Sequence, residues 1–274
     1  MSISSASIDK YNIKTITNID VIVLPNEVQN DSSDIIKDDK FKEYYELLNY
    51  FWFKNELIIT KIIDYFKIDQ SKLIIDVGGG TVCPFPYSTH IIDIKEDKFK
   101  NIYNVDIDFD FFPFTFKKFY FSFCRHTLED IQNPTHAFNE IIRISQRGVF
   151  ETPSPLAEFN KTNGEQIGRG YIHHRYIVWS DKETNTLFFL PKYPIIDRLF
   201  VSDILQKKMN YILNNYPVYW NNYYLWDEDN IPKVVIYRNE INFEVIKDYP
   251  GLVFKAIEKS FEYTNYFIEK ISSN

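Results

Sequence analysis

Between residues 73 and 152 the hydrophobic positions fall in short, uninterrupted runs that are separated by polar turns. Runs of this length that end in an acid, a glycine turn or a proline are typical of strands buried on both faces of a sheet. They predict five strands in chain order, at residues 73–76, 89–93, 101–106, 119–124 and 149–152.

Helical spacing of apolar residues separates or flanks these runs. Between the fourth and fifth strands, Asn133 and Pro134 form a favourable N-cap and first position, and the helix should end before Gly148. The same spacing predicts two helices within 41–66, broken near residues 54–55, and further helices at 195–213 and 251–271. The expected fold class is therefore α/β, with a Rossmann-like, mostly parallel sheet flanked by helices.

The C-terminal third alternates in a different way. Residues 218–226 and 233–237 read as strands around the turn 227–230, which predicts an antiparallel edge hairpin. For the whole chain we expect a partly mobile N-terminal extension at 1–40 and a core at 41–192. Residues 193–274 should be an elaboration of the same domain that binds a substrate or completes the sheet.

Composition narrows the choice of partners and compartment. A net charge of -7 on 274 residues argues against bulk attraction to nucleic acid or to an anionic membrane. Two cysteines are too few for a disulfide framework, and we find neither a signal-peptide pattern nor an apolar run of membrane-spanning length. We expect a cytoplasmic protein without a membrane partner, and its oligomeric state stays open.

The ends of the first two strands carry the candidate chemistry. Asp76 precedes the glycine turn 78–80, and Asp93 ends the second strand. Because the carboxyl ends of parallel strands share one edge, these residues indicate a bracket for an adenosine-containing cofactor. A nicotinamide or flavin site also predicts a strand-end acid. However, the third glycine of that fingerprint would fall at Cys83, and Asp76 would face a pyrophosphate.

Several motifs in order resemble those of the class I S-adenosylmethionine-dependent methyltransferases. They are Ile75-Asp76-Val77-Gly78-Gly79-Gly80-Thr81, Asp93, Asp108 with Pro113-Phe114, and Cys124-Arg125-His126-Thr127-Leu128-Glu129-Asp130. The chain further resembles a subgroup of that family in three segments: Pro84-Phe85-Pro86, His126-Thr127-Leu128-Glu129 and Phe150-Glu151-Thr152-Pro153-Ser154. The resemblance covers about residues 70–192 and implies S-adenosylmethionine as the cofactor.

Each matched residue has a physical role in such a site. The backbone of the turn would approach the methionine moiety at Gly78, Gly79, Gly80 and Thr81. Asp76 would accept a hydrogen bond from the ammonium of that moiety. The Asp93 carboxylate is suited to accept hydrogen bonds from both ribose hydroxyls. The adenine contacts and the remaining cofactor contact fall to Asp108, to Phe109 as a stacking ring, and to Arg125, with Asp106 and Asp110 as alternatives to Asp108. Pro84 and Pro86 leave no room for a helix after the turn, so the first crossover should be an irregular loop.

Methyl transfer to a hydroxyl requires that the hydroxyl be aligned with the methyl group and that a base remove its proton. Histidine is suited to act as this base at neutral pH. His126 and His174 are the catalytic candidates. His126 has the alternative of contacting the cofactor or fixing its loop. Neighbouring strand residues point oppositely, so only one of His173 and His174 should face the pocket; a structural role for both stays open. No metal is expected, because Cys83, His90, Cys124 and His126 match no zinc spacing.

The expected function is O-methylation of a sugar or other small hydroxyl, that is, a small-molecule or glycan acceptor. The same residues are compatible with an N-methyl acceptor. A non-catalytic binding or scaffold protein with a methyltransferase fold is the main alternative, followed by an NAD(P)-binding oxidoreductase.

Overall fold

The computed structural model describes residues 56–79, 85, 87–94, 102–161, 168–199, 201–237 and 243–272. These residues belong to two compact units. The large-sheet unit contains the described residues up to Thr152, together with Tyr223–Pro232 and 266–272. The small-sheet unit contains the described residues of Pro153–Asn222 and Lys233–Asn265. The division of the sequence at residues 41 and 193 stays a prediction.

A six-stranded sheet with the order β3-β2-β1-β4-β5-β8 organises the large-sheet unit. β1 pairs in parallel with β2 and β4, β2 with β3, and β4 with β5, which confirms the predicted mostly parallel α/β fold. The strands are β1 Ile74–Val77, β2 His90–Asp93, β3 Ile102–Asn104, β4 Phe121–Arg125, β5 Arg147–Pro153 and β8 Asn221–Asp227.

Helices α1 (Glu56–Phe66) and α2 (Pro134–Ile144) belong to the same unit. The start of α2 is as predicted: Pro134 is its first residue, and the Asn133 side chain accepts a hydrogen bond from the His136 N–H. Its apolar face is fully buried at Ala137, Ile141 and Ile144. The other predicted helix of 41–66 lies outside the described residues.

The small-sheet unit contains a three-stranded sheet with the order β6-β7-β9. β6 (Tyr176–Asp181) and β7 (Thr186–Pro191) are antiparallel, and β9 (Lys233–Ile236) pairs in parallel with β7. The helices are α3 Pro155–Phe159, α4 Asp203–Asn215, α5 Phe243–Ser272, which ends in the large-sheet unit, and two 3-10 helices, Pro194–Arg198 and Pro217–Trp220.

Two C-terminal predictions need correction. The predicted hairpin of 218–226 with 233–237 is wrong, because β8 joins the six-stranded sheet and β9 the three-stranded one. Alternation indicated the strands but not their partners. β8 is the strand at one edge of the six-stranded sheet, and its residues 221–226 are all buried. The predicted helix at 195–213 is a 3-10 helix followed by α4, which begins after the N-cap Ser202. Helix 251–271 is confirmed within α5. None of the described helices combines the length and apolarity needed to cross a membrane.

Candidate functional site

The strand order of the large sheet reverses at β1, whose neighbours are β2 and β4. In open α/β sheets, ligands bind at the carboxyl ends of the strands at such a switch point. Val77 is in register with Ile92 of β2 and with Cys124 of β4, and the Gly78 N–H donates to the Ile92 carbonyl at 2.8 Å. The glycine turn therefore begins between the end of β2 and the end of β4.

Asp76 is buried beneath this turn. Its Oδ2 accepts a hydrogen bond of 2.5 Å from the Phe85 N–H, and its Oδ1 has no hydrogen-bond partner among the described residues. Burial raises the pKa of Asp76 to about 7; the Phe85 N–H and Arg125 lower it, and the charges of Asp93 and Glu151 raise it. A buried carboxylate oxygen without a partner is suited to accept a hydrogen bond from a cationic ligand.

Backbone conformation and close contacts both restrict the glycine turn. Gly78 has a φ of +79°, and a Cβ there would lie 2.0 Å from Thr127 Oγ1. A Cβ on Gly79 would lie 2.3 Å from Asp76 Oδ2. The Thr127 hydroxyl lies 3.3 Å from the carbonyl of Val77 and 3.0 Å from that of Arg125, so hydrogen bonding by Thr127 ties the loop after β4 to the residue before the turn. Gly80 and Thr81 lie outside the described residues.

An ion pair and a histidine occupy the ends of β4 and β5. Arg125 Nε lies 3.0 Å from Glu151 Oε1, and both side chains are shielded from solvent. His126 has a φ of +47°, and its N–H donates to the Glu151 carbonyl at 2.9 Å. Its ring nitrogens lie 3.3 Å from Glu129 Oε1 and 3.8 Å from Glu151 Oε1. The strained backbone thus holds the imidazole between two carboxylates.

Buried acids outnumber the bases at this edge of the sheet. The acids, which we call the carboxylate cluster, are Asp76, Asp93, Glu129 and Glu151, each with less than a tenth of its surface exposed. Arg125 is the guanidinium among them. The sequence motifs assign no cofactor role to Glu129, which follows the fourth predicted strand, or to Glu151, which lies within the fifth. The cluster creates a negative potential that favours a ligand with positive charge.

The predicted adenine contacts lie in the loop after β3. Asp108 Oδ1 accepts a hydrogen bond of 2.7 Å from the Asn133 N–H, at the start of α2. The Asp108 N–H donates to Asp106 Oδ1, and Asp110 Oδ2 accepts from the Asp106 N–H, both at 3.0 Å. Phe109 is 64% exposed, so its ring face is accessible for stacking. Asp108 therefore has a structural role that the sequence did not reveal.

The second catalytic candidate belongs to the small-sheet unit. His174 is buried, and its Nδ1 lies 2.5 Å from Glu158 Oε1. His173 is exposed. The prediction that only one histidine faces the pocket assumed that the pair lies on a strand. In the structure, residues 172–173 form a turn and β6 begins only at Tyr176, so the pair is not on a strand.

No family model and no curated protein sequence matches the chain. Similar solved structures include an S-adenosylmethionine-dependent methyltransferase from Aquifex aeolicus, with 15% identity, 47% of this chain and 79% of that one covered, and a TM-score of 0.32. The MccD protein has 16% identity, 62% and 95% covered, and a TM-score of 0.33.

An S-adenosylmethionine-dependent methyltransferase from Mesorhizobium loti has 14% identity and a TM-score of 0.26 over 32% of this chain. The match spans 50% of the length of that methyltransferase. Similarity at this level establishes neither a family nor an activity, so the functional conclusion rests on the site residues.

Proposed function

We propose that this protein is an S-adenosylmethionine-dependent methyltransferase that O-methylates a sugar or another small hydroxyl compound. The observation that carries the proposal is the carboxylate cluster around the glycine turn. S-adenosylmethionine carries a sulfonium and an ammonium, and both are stabilised by a buried site of negative potential. The pyrophosphate of a dinucleotide would be repelled there, which disfavours an NAD(P)-binding oxidoreductase.

The residues present fit this cofactor. Asp76 Oδ1 has no hydrogen-bond partner among the described residues and would accept a hydrogen bond from the ammonium. Asp93 ends β2 beside the switch point and would accept hydrogen bonds from both ribose hydroxyls. Phe109 offers an exposed ring for adenine, and Arg125 contributes the guanidinium of the cluster for the methionine carboxylate. When bound, the cofactor supplies an activated methyl group for in-line displacement.

The net charge of the chain favours a small-molecule acceptor over nucleic acid. A net charge of -7 disfavours nucleic acid, whose phosphates require clustered basic residues. A hydroxyl acceptor requires removal of its proton, and the two buried or half-buried histidines, His126 and His174, are residues of the right type.

Calorimetric titration of S-adenosylmethionine into the pure protein tests the cofactor. We expect binding, and a loss of about tenfold to a hundredfold in affinity for Asp93→Ala, because hydrogen bonds to a charged acceptor contribute about 1.5–3 kcal/mol. Asp64→Ala, which removes an exposed acid on α1, is the matched control and should bind normally. Absence of binding by the wild-type protein would overturn the proposal. An unchanged affinity in Asp93→Ala would overturn the ribose assignment alone.

A non-catalytic scaffold protein is separated from an enzyme by turnover. S-adenosylmethionine with a labelled methyl group is incubated with nucleotide sugars, free sugars and peptides, and label on the acceptor is measured. Label on a sugar hydroxyl supports the proposal. Tight cofactor binding with no transfer to any of these compounds would favour the scaffold alternative.

A further inference from the structure

One buried threonine of the large-sheet unit connects the ends of two neighbouring strands. Thr127 Oγ1 lies within hydrogen-bond distance of the carbonyl of Val77, the last residue of β1, and of the carbonyl of Arg125, the last residue of β4. Because β1 and β4 pair in parallel, both carbonyls lie at the edge of the sheet where ligands bind. The threonine therefore links the two sides of the switch point.

The same side chain fills the space beside the glycine turn. A Cβ added to Gly78 would lie 2.0 Å from Oγ1, 2.6 Å from Cγ2 and 2.8 Å from Cβ of Thr127. These distances are shorter than the contacts that a Cβ makes in folded proteins, so Thr127 occupies the volume that a side chain at residue 78 would need. The loop after β4 thus packs directly on the turn.

The hydroxyl proton of Thr127 is available for the two carbonyls. The Thr127 side chain also forms a hydrogen bond with the Cys124 thiol. Burial, followed by the charges of Glu129 and Asp76, raises the pKa of this thiol well above its ordinary value, so the thiol stays protonated. A protonated thiol donates to a lone pair of Oγ1, which leaves the hydroxyl proton to be shared between the carbonyls.

The hydrogen bond from Thr127 to Arg125 encloses His126. Its donor follows the histidine and its acceptor precedes it, so the bond closes a turn around a residue whose φ is +47°. A residue other than glycine keeps this strained conformation only where its surroundings fix it. The His126 N–H donates to the Glu151 carbonyl at 2.9 Å, which holds the loop from its other side.

The two carbonyls belong to the segments that carry the proposed contacts for the methionine moiety. Asp76 and Gly78 flank Val77, and Arg125 provides both the second carbonyl and the guanidinium. The proposed ribose contact, Asp93, ends a different strand, β2. The threonine hydroxyl therefore holds the residues around one half of the cofactor and not those around the other.

We propose that Thr127 is a positioning residue of the cofactor site, whose hydroxyl keeps the contacts for the methionine moiety in place before the cofactor binds. The inference rests on the proposed function for the identity of the ligand. Without the hydroxyl, the cofactor would have to order the turn and the loop itself. Ordering the backbone of one residue on binding lowers affinity about tenfold. Binding of the adenosine half alone would not require this ordering.

Thr127→Ser and Thr127→Ala are a matched pair that differs in the hydroxyl, because both substitutions remove the methyl group beside the turn. In calorimetry, S-adenosylmethionine should bind about tenfold more weakly to Thr127→Ala than to Thr127→Ser. Methylthioadenosine, which lacks the amino-acid moiety, should bind the two variants equally. Thr115→Ala, at an exposed threonine of the same unit, should bind both ligands as the wild type does.

Two calorimetric results would contradict the positioning role. Equal affinity of the Thr127→Ser and Thr127→Ala variants for S-adenosylmethionine would show that the hydroxyl does not prepare the site. An equal loss of affinity for S-adenosylmethionine and methylthioadenosine in Thr127→Ala would show a general loss of structure, and it would overturn the assignment to the methionine half.

Hydrogen exchange of backbone amides measures the same link without a ligand. The N–H groups of Gly78 and His126 donate to carbonyls of β2 and β5, at 2.8 and 2.9 Å. Both should exchange about tenfold faster in Thr127→Ala than in Thr127→Ser. The Ser145 N–H, which caps the end of α2, should exchange equally in the two variants. Equal rates at all three amides, or the same acceleration at all three, would overturn the proposal.

Failure of this inference is distinguishable from failure of the proposed function. S-adenosylmethionine is titrated into the wild-type protein, and exchange is measured in the two Thr127 variants. Cofactor binding together with equal exchange rates overturns the positioning role alone. Absence of binding together with faster exchange in Thr127→Ala overturns the proposed function, and with it the assignment of the fixed contacts to a methionine moiety.

Discussion

The backbone N–H of Phe85 donates a hydrogen bond to Oδ2 of Asp76 at a distance of 2.5 Å. The Phe85 ring is buried and lies 4.8 Å from the ring of Phe123 on β4, measured between centroids. The bond and the packing together fix this residue of the first crossover against β1. One carboxylate oxygen of Asp76 thus holds the crossover, and Oδ1 has no hydrogen-bond partner within the part of the chain that the structure describes.

Burial of Asp76 makes the stability of the protein depend on pH. The folded pKa of about 7 lies above the ordinary value of 3.8, so between these values the folded state binds more protons than the unfolded state. The contribution of Asp76 to the free energy of unfolding is therefore fully present below the unfolded pKa, and it is lost as the pH rises through about 7. We expect the free energy of unfolding to fall by a few kcal/mol at most between about pH 4 and pH 8.

Asp76→Asn isolates this contribution, because an amide does not titrate and still accepts a hydrogen bond from the Phe85 N–H. Urea unfolding at about pH 5 and about pH 8 should show a smaller pH dependence in Asp76→Asn than in the wild-type protein. Asp64→Asn, on the exposed surface of α1, should behave as the wild type. Equal pH dependence in all three proteins would contradict a raised pKa at Asp76.

The same carboxyl should make cofactor binding depend on pH. An ammonium binds the ionised carboxylate, so affinity should rise between about pH 6 and pH 7.5, by up to about tenfold per pH unit below the pKa. Binding should also release protons, which calorimetry in buffers of different ionisation enthalpy measures. Methylthioadenosine, which lacks the amino-acid moiety, is the control ligand and should bind with little pH dependence. A similar dependence for both ligands would show that Asp76 does not contact the ammonium.

Local signals account for what the sequence predicted correctly. The start of α2 follows from Asn133 and Pro134 alone, and the buried strands follow from short apolar runs. The parallel order of the strands follows from their alternation with helices and the handedness of crossovers. Asp76 and the glycine turn are sequence neighbours, so their proximity needed no tertiary information.

Contacts between distant segments account for what the sequence missed. Lys192 and Glu158 are 34 residues apart, and His174 and Glu158 are 16 apart, so no motif spacing indicated that one carboxylate holds both. The partners of β8 and β9 depend on which sheet offers a free strand edge, which alternation does not encode. The bond from Asn133 to Asp108 likewise joins residues that are 25 apart.

Asp108 and Phe109 should differ in what their substitution changes. Asp108→Ala removes the acceptor of the Asn133 N–H and should lower the free energy of unfolding by about 1–2 kcal/mol. Phe109→Ala removes an exposed ring and should leave stability within about 0.5 kcal/mol while weakening S-adenosylmethionine binding about tenfold. Urea unfolding and calorimetry on both variants measure the two effects. Phe116→Ala, at another exposed phenylalanine, should bind normally; weakening equal to that of Phe109→Ala would contradict stacking on Phe109.

Two glycines of the small-sheet unit should respond in opposite directions to alanine. Gly170→Ala places a Cβ 2.6 Å from the Cα of Glu158, so α3 would have to move to relieve the clash. Alanine would also be strained at the φ of +57° that Gly170 adopts. We expect a loss of at least roughly 2 kcal/mol in the free energy of unfolding. Gly251 lies in α5 with no atom within 4 Å of an added Cβ, so Gly251→Ala should increase stability by about 1 kcal/mol. Urea unfolding decides, and a Gly170→Ala protein as stable as Gly251→Ala would show that the position beside Glu158 does not require glycine.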